Sequence, residues 1–432
     1  MEQKKSIIET MRKQVHEVAR TPDEAARMEE LLREADEQSR KKEIRRVREP
    51  DKLQRFLTVW RIRFHYGIHW SKPFYPLRLA RNMLLGKSYH TFGIKKFVLR
   101  GIEFAGTYKC NFRCNHCLCA RLEESDTRRE MTPPDYARIV KEAMQLGCTT
   151  FGLEGGEPFV TPDWDKIIEA CRPHYNHIII STNGFLFDEA KAKRCAELGV
   201  DTINFSLDSG YELLHDLFRR RRGSFRKVME GVKLCRKFGI KVIINTVVHK
   251  GNIYTDHFRE LLEFGEREKI MVNTLLAKGV GNFKDKDVML DEEDMRAYQK
   301  IVEPYNYVLR HLAHNYGRGF GCPGTKEMIN MTPYGDVLNC ANMHIYFGNV
   351  MEEQLKTIRE RALKKTPFGL YNPCFLADDR DFMEVYYGLL EKQGHMTIAE
   401  FRAALADYEK KKGKAVYPGL ASCQSCEGVC AS

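Results

Sequence analysis

From residue 101 the chain alternates short β-rich runs with helical patterns, and this rhythm restricts the fold more than any other feature. The runs are IEFAGT (102–107), TTFGLE (149–154), HIIIST (177–182), DTINFSL (201–207), KVIINTVV (241–248) and KIMVNTLL (269–276). Between them, TPPDYARIVKEAMQLG opens on Thr132-Pro133-Pro134 and stops at Gly147, while SFRKVMEGVKLCRKFG opens at Ser224 as its N-cap and stops at Gly239. Ser or Thr at the start and Gly just past the end are helix-terminus chemistry. Repeated strand–helix units build a parallel sheet with helices outside, because each parallel pairing needs a crossover. The expected fold is α/β, a partial (β/α)6 barrel over residues 101–315, with chemistry at the C-terminal ends of the strands.

Charge divides the chain differently. Residues 1–100 carry 24 Lys and Arg against 13 Asp and Glu, whereas the remainder is balanced. Residues 52–100 hold eleven basic residues and no acid, with ten aromatics between them. A helical, basic and aromatic N-terminal extension over 1–100 is expected, its first part marked by the helical spacing of Ile7, Ile8, Met11 and Val15. Three readings fit 52–100: docking on an anionic membrane, binding of nucleic acid by charge and stacking, or a basic cover packed on the barrel. No run of 18 apolar residues occurs, and the start has no apolar signal segment, so a cytoplasmic location is expected, with a peripheral position at the inner membrane surface as an option. In that compartment fourteen cysteines suggest metal ligation rather than disulfides.

Four of them fall in CNFRCNHCLC (110–119). Structural zinc closes four ligands around one ion. Three thiolates on one loop, spaced C-x3-C-x2-C after a strand, suit a [4Fe–4S] cluster that keeps one iron open. Here the sequence resembles the radical S-adenosylmethionine (radical SAM) superfamily. The resemblance rests on CNFRCNHC after the first strand, GLEGGEP (152–158) after the second, STNG (181–184) after the third and SLDSGYELLHDLFR (206–219) after the fourth. It implies that Cys110, Cys114 and Cys117 hold the cluster, with Cys119 a spectator. It further implies that Gly155, Gly156 and Glu157 line the methionine end of S-adenosylmethionine, Glu157 with a carboxylate suited to its ammonium. Ser181, Asn183 and Ser206 match positions that hydrogen-bond the ribose or methionine, Arg219 and Asn245 match weaker positions, and His116 stands near the adenine or is an exposed loop imidazole. The implied activity is reductive cleavage of S-adenosylmethionine to a 5′-deoxyadenosyl radical that abstracts hydrogen, fed by a one-electron donor such as flavodoxin or ferredoxin.

Beyond residue 320, INMTPYGDVLNC predicts a hairpin around Pro333-Tyr334-Gly335-Asp336. Cys322, Gly335 and Cys340 are spaced C-x12-G-x4-C, similar to the opening of SPASM/twitch extensions that carry auxiliary iron–sulfur clusters. Residues 316–432 are therefore expected to form a small auxiliary-cluster domain. Its final CQSCEGVC departs from the two-cluster pattern, which implies one auxiliary [4Fe–4S] cluster on Cys322, Cys340, Cys423 and Cys426, with Cys374 and Cys430 in reserve. Cys148, Cys171, Cys195 and Cys235 lie on helical patterns or their ends and are expected to be inert core thiols. The substrate is expected to be lipid-linked or membrane-associated, the rival being a peptide or cofactor precursor. A non-catalytic zinc protein that binds RNA is the reading from a different class.

Overall fold

A computed structural model describes residues 6–44, 58, 72–119, 128–311, 313–315, 319–369, 374–393 and 396–421. Six parallel strands form its centre: β1 (Gly101–Thr107), β2 (Thr150–Gly155), β3 (His177–Thr182), β4 (Thr202–Ser206), β5 (Lys241–Val248) and β6 (Met271–Leu276). They pair in chain order, β1 to β6, each with the next. One parity of each strand, including Ile102, Phe104, Ile178, Ile180, Ile203 and Ile244, is fully buried in the hydrophobic core. The other parity carries Glu154, Ser181, Ser206 and Asn245, which line an interior cavity. Burial alternates strictly along β5, as a strand covered by helices on one face and open to a lumen on the other requires.

The connecting helices begin where the sequence predicts, with one difference in chemistry. Pro133–Gln145 starts with a capping box between Thr132 and Asp135. Ser224, by contrast, is not an N-cap: Gly223 occupies that position and Ser224 is the first helical residue. The cap comes instead from Asp216 on the preceding helix, whose carboxylate accepts from Gly223 N at 2.7 Å, Phe225 N at 2.9 Å and Ser224 Oγ at 2.8 Å. A buried carboxylate from inside the preceding helix, Glu212–Arg219, replaces the local hydroxyl.

The sheet does not end at the expected boundary near residue 316. It continues as β7 (Val308–Arg310) beside β6, and a short antiparallel pair follows, β8 (Ala313–Asn315) with β9 (Gly319–Gly321). Then β10 (Met328–Met331) returns to pair in parallel with β1, and β11 (Val337–Leu338) closes the predicted hairpin onto β10. Gly335, at φ +91°, takes the left-handed position of its turn, which L side chains disfavour. The expected auxiliary domain thus starts by extending the barrel sheet itself.

Within residues 6–44 three helices form: Ile7–Arg12, Val15–Val18 and Pro22–Lys41. Their apolar face packs on Leu214, Leu217, Phe218 and Phe283, next to the end of β4 and the loop after β6. Of the basic aromatic segment, residues 52–57 and 59–71 lie outside the described residues. Its continuation, Phe74–Thr91, is a helix across the N-terminal ends of the strands. Lys72, just before it, is buried and donates to Asn176 O at 2.8 Å and Gly199 O at 2.9 Å while pairing with Asp201. Arg78 reaches Cys148 O at 2.6 Å and Asn176 Oδ1 at 2.8 Å, and Asn82 reaches Gly147 O at 2.6 Å. Each acceptor lies just before β2, β3 or β4, so the described part of the segment covers the bottom of the barrel. The third reading put its aromatics inside and its arginines in water, whereas Phe74 and Phe92 are exposed and Arg78 turns inward.

Candidate active site

At the opposite, C-terminal end of the strands the loop after β1 carries Cys110, Cys114 and Cys117, which share one cavity of about 280 Å³. Three other loops hold this one in place. After β2, Gly156 N donates to Thr107 O at 2.8 Å and Glu157 N to Lys109 O at 2.9 Å. After β4, Asn115 N donates to Phe218 O at 3.1 Å and Asn115 Nδ2 to Leu217 O at 3.3 Å. After β6, Asn282 N donates to Cys117 O at 3.0 Å and its side chain to Cys114 O at 2.9 Å. The glycines follow from this close approach. A Cβ on Gly156 would lie 2.1 Å from Lys109 O, and one on Gly155, at φ +120°, would lie 2.4 Å from Thr107 O. Gly281 is pressed likewise, its Cβ position 2.4 Å from Cys117 O. The spacing of CNFRCNHC shows the thiols, but Asn115, Gly281 and Asn282 had no sequence signal, because their role depends on loops distant in the chain.

Burial pushes the Cys110 thiol up to about 12 and that of Cys114 to about 11; beside Cys114 the guanidinium of Arg219 opposes the shift. Arg219 is buried, pairs with Asp208 at 2.6 Å and points a donor at Cys114 Sγ, 3.8 Å away. A cation held there favours the thiolate. Three thiols from one loop that line one cavity, with a cation beside one of them, fit a cubane cluster, whose thiolates bind separate irons.

Most of the expected cofactor residues face the same space. Gly155, Gly156, Ser181, Asn183, Ser206, Arg219 and Asn245 all line the cavity. Asn183 Nδ2 donates to Asn111 Oδ1 at 2.8 Å, and Asn245 Oδ1 accepts from Asn273 at 3.0 Å. Glu157 differs from its expected role beside an ammonium. It is fully buried and accepts from Thr182 Oγ1 at 2.7 Å, Asn183 N at 2.8 Å and Phe159 N at 3.3 Å. Its carboxyl ties the loop after β2 to the end of β3, and burial pushes it up to about 7. His116 is not an exposed loop imidazole. Its ring lines the cavity and stacks on Phe218 at 5.0 Å, with His249 on the other side of Phe218 at 5.5 Å. Burial holds His116 neutral, and its Nδ1 has no hydrogen-bond partner among the described residues, which leaves a polar atom for a bound group. Cys119 is buried, and its thiol donates to Gly155 O at 3.4 Å.

Two cavity residues were not singled out in the sequence. Glu154 projects from β2 with no hydrogen-bond partner among the described residues; burial, then the neighbouring Glu103, push its carboxyl well up. Gly152 makes room for Glu103, since a Cβ there would lie 3.3 Å from Glu103 Cγ. Across the cavity Lys278, just beyond β6, has no ion-pair partner among the described residues. Ala341 and Asn342 complete that wall, immediately after Cys340. Burial raises Cys340, and the charges of Cys322 and Cys374 raise it further, so these three thiols are neighbours. Cys374, placed in reserve by spacing, acts electrostatically on both Cys322 and Cys340, while Cys423, Cys426 and Cys430 lie outside the described residues. Cys148, Cys171, Cys195 and Cys235 are buried in the core between sheet and helices.

Comparison with known proteins agrees with this geometry. The family model described as the Radical SAM superfamily matches residues 105–265. Fe-coproporphyrin III synthase of Methanosarcina barkeri (strain Fusaro / DSM 804) is 28% identical over 198 residues, 46% of this chain and 49% of that protein. The chain therefore spans about half the length of that relative. AdoMet-dependent heme synthase of the same organism is 26% identical over 290 residues, 61% of this chain and 82% of that protein. Streptococcus suis SuiB bound to S-adenosylmethionine has the same core fold, with a TM-score of 0.52 at 19% identity over 71% of this chain and 75% of that one. The family match covers the strands whose C-terminal ends surround the cavity, so residues 105–265 carry a domain similar to the Radical SAM superfamily.

Proposed function

We propose that this enzyme abstracts hydrogen from a carboxylate-bearing cofactor precursor. When bound, the cluster and S-adenosylmethionine supply one-electron cleavage of the sulfonium to a 5′-deoxyadenosyl radical. The chain's residues surround that chemistry. Cys110, Cys114 and Cys117 hold the cluster, Arg219 steadies the Cys114 thiolate, and Ser181, Asn183, Ser206 and Asn245 present polar groups to S-adenosylmethionine. The observation that carries the substrate assignment is a pair of groups on facing walls of the cavity: Lys278, with no ion-pair partner among the described residues, and Glu154, whose carboxyl burial shifts toward the protonated form. Together they give an ion pair to one carboxylate and a hydrogen-bond donor to a second acceptor. The relatives named for making Fe-coproporphyrin III and heme support a cofactor precursor over a peptide, and coproporphyrin carries several propionate carboxylates. The lipid-linked substrate expected from the basic segment is less well supported, because the described helix of that segment, Phe74–Thr91, covers the end of the barrel away from the cavity. A flavodoxin or ferredoxin is the proposed electron donor, and Cys322, Cys340 and Cys374, with a terminal cysteine, are the proposed auxiliary ligands.

The test is a 5′-deoxyadenosine assay on anaerobically reconstituted enzyme with carboxylate-bearing tetrapyrroles. Losing the cation in Lys278→Met should raise the substrate KM by about 10- to 100-fold, the worth of a charge-assisted contact, while substrate-free 5′-deoxyadenosine formation persists. An unchanged KM rejects the substrate reading alone; absence of 5′-deoxyadenosine rejects the class.

A further inference from the structure

The Phe74–Thr91 helix is inverted relative to an ordinary packing helix. A helix that covers a protein normally buries its apolar stripe and turns its polar one to water. Here the stripe against the barrel is Tyr75, Arg78, Asn82 and Gly86, held by hydrogen bonds from Arg78 and Asn82. The stripe facing outward carries Leu77 and Leu84, 69% and 68% exposed, with Phe74 at 58%. Met83 and, beyond the helix, Phe92 and Ile94 are also exposed. Of the eight large exposed apolar residues among those described, these are six, and a seventh, Tyr175, stacks on Phe74 at 6.2 Å. Among the described residues, nearly all the large exposed apolar side chains therefore lie in one patch, of the kind that marks an interaction site.

The charges on that patch have one sign. Arg81 lies between Leu77 and Leu84 on the same stripe, Lys87 flanks it, and Lys95 and Lys96 follow in the next turn. All four are exposed, and none has a carboxylate partner among the described residues. The acid-free sequence extends back to residue 52. A second copy of the chain would bring like charges face to face, whereas an anionic bilayer accepts both features at once: apolar side chains enter the acyl boundary and cations pair with headgroups.

We propose that the Phe74–Lys96 surface docks the enzyme on an anionic membrane, independently of the radical chemistry. The patch lies at the N-terminal ends of the strands and the cavity at their C-terminal ends. Strands of five to eight residues separate the two by about 20 Å at roughly 3.3 Å per residue. Docking in this way leaves the cavity facing the aqueous side, so the membrane positions the enzyme rather than presenting the substrate.

The experiment is co-sedimentation of the full chain with vesicles of phosphatidylcholine alone or mixed with phosphatidylglycerol, with analytical ultracentrifugation of the free protein. Binding to the mixed vesicles should exceed binding to the neutral ones by about tenfold or more and fall as salt rises. The pair Leu77→Ser/Leu84→Ser and the pair Arg81→Gln/Lys87→Gln should each lower it about tenfold. Both pairs change exposed side chains only, so melting temperature and S-adenosylmethionine binding should be unchanged. Equal binding to neutral vesicles, no binding, or indifference to both pairs overturns the proposal. So does a dimer that either pair dissociates, since the patch is then an interface between copies.

Discussion

At the scale of single residues the site depends on close approach. Gly155 and Gly156 are needed because the cysteine loop passes over them, and Gly281 because the loop after β6 meets it from the other side. Gly156→Ala should push Lys109 and its loop outward, costing about 1–3 kcal/mol as overpacking does. Iron bound after reconstitution should then fall to less than half that of the parent, read by iron analysis against melting temperature. Full iron at an unchanged melting temperature would show that the loop yields without cost. Arg219 and Asp208 are a buried pair, expensive to bury, whose guanidinium faces the Cys114 sulfur. Ionisable groups set apart inside a barrel are informative in the same way: among the described residues Glu154 has no hydrogen-bond partner and Lys278 no carboxylate partner.

At the scale of elements, the strand–helix alternation was readable because strand interiors are β-branched runs and helix ends carry Thr-Pro or Gly. HIIIST predicts β3 to the residue. Non-local pairing was not readable. Nothing in INMTPYGDVLNC indicates that its first strand joins β1, more than 200 residues earlier, since period-two patterning specifies a face and not a neighbour. Ser224 failed as a cap for a similar reason, because Asp216, eight residues away, out-competes a local hydroxyl. The basic aromatic segment was read as cover or dock, and its described part has the geometry of a cover on one face while the other stays open. Lys72 fixes that cover to the barrel. Removing it in Lys72→Met leaves Asp201 buried without its cation, at a cost of about 3–5 kcal/mol, measurable as a lower urea midpoint. The loss should shrink in the double variant Lys72→Met/Asp201→Asn; if it does not, the pair is not what holds the helix.

At the scale of the whole molecule, three histidines couple stability to pH. Burial lowers His215 and His249 to about 3 and His257 to about 4, from an ordinary 6.5. Each is neutral in the folded chain and takes up a proton on unfolding below pH 6.5. Stability is therefore complete above that pH and falls as pH drops toward the folded values, by about 1.4 kcal/mol per unit for each histidine. His249 stacks on Phe218 beneath the N-terminal helices, beside Ile8 and Met11. His249→Phe keeps the ring and removes the proton site, so its loss of stability between pH 6.5 and 5 should be smaller by about 2 kcal/mol. Denaturation curves at the two pH values measure this, and an equal loss in both proteins would place the pH sensitivity elsewhere.

The central claim is that Cys110, Cys114 and Cys117 present a cluster to S-adenosylmethionine in the cavity above the strands. The most direct measurement is electron paramagnetic resonance of the reduced, anaerobically reconstituted enzyme before and after S-adenosylmethionine, in parent and in a Cys110→Ala/Cys114→Ala/Cys117→Ala variant. The account predicts a reduced [4Fe–4S] signal that S-adenosylmethionine alters, and loss of that altered signal in the variant while any signal from the C-terminal cysteines persists. A parent whose signal ignores S-adenosylmethionine, or a variant that keeps the full response, contradicts it.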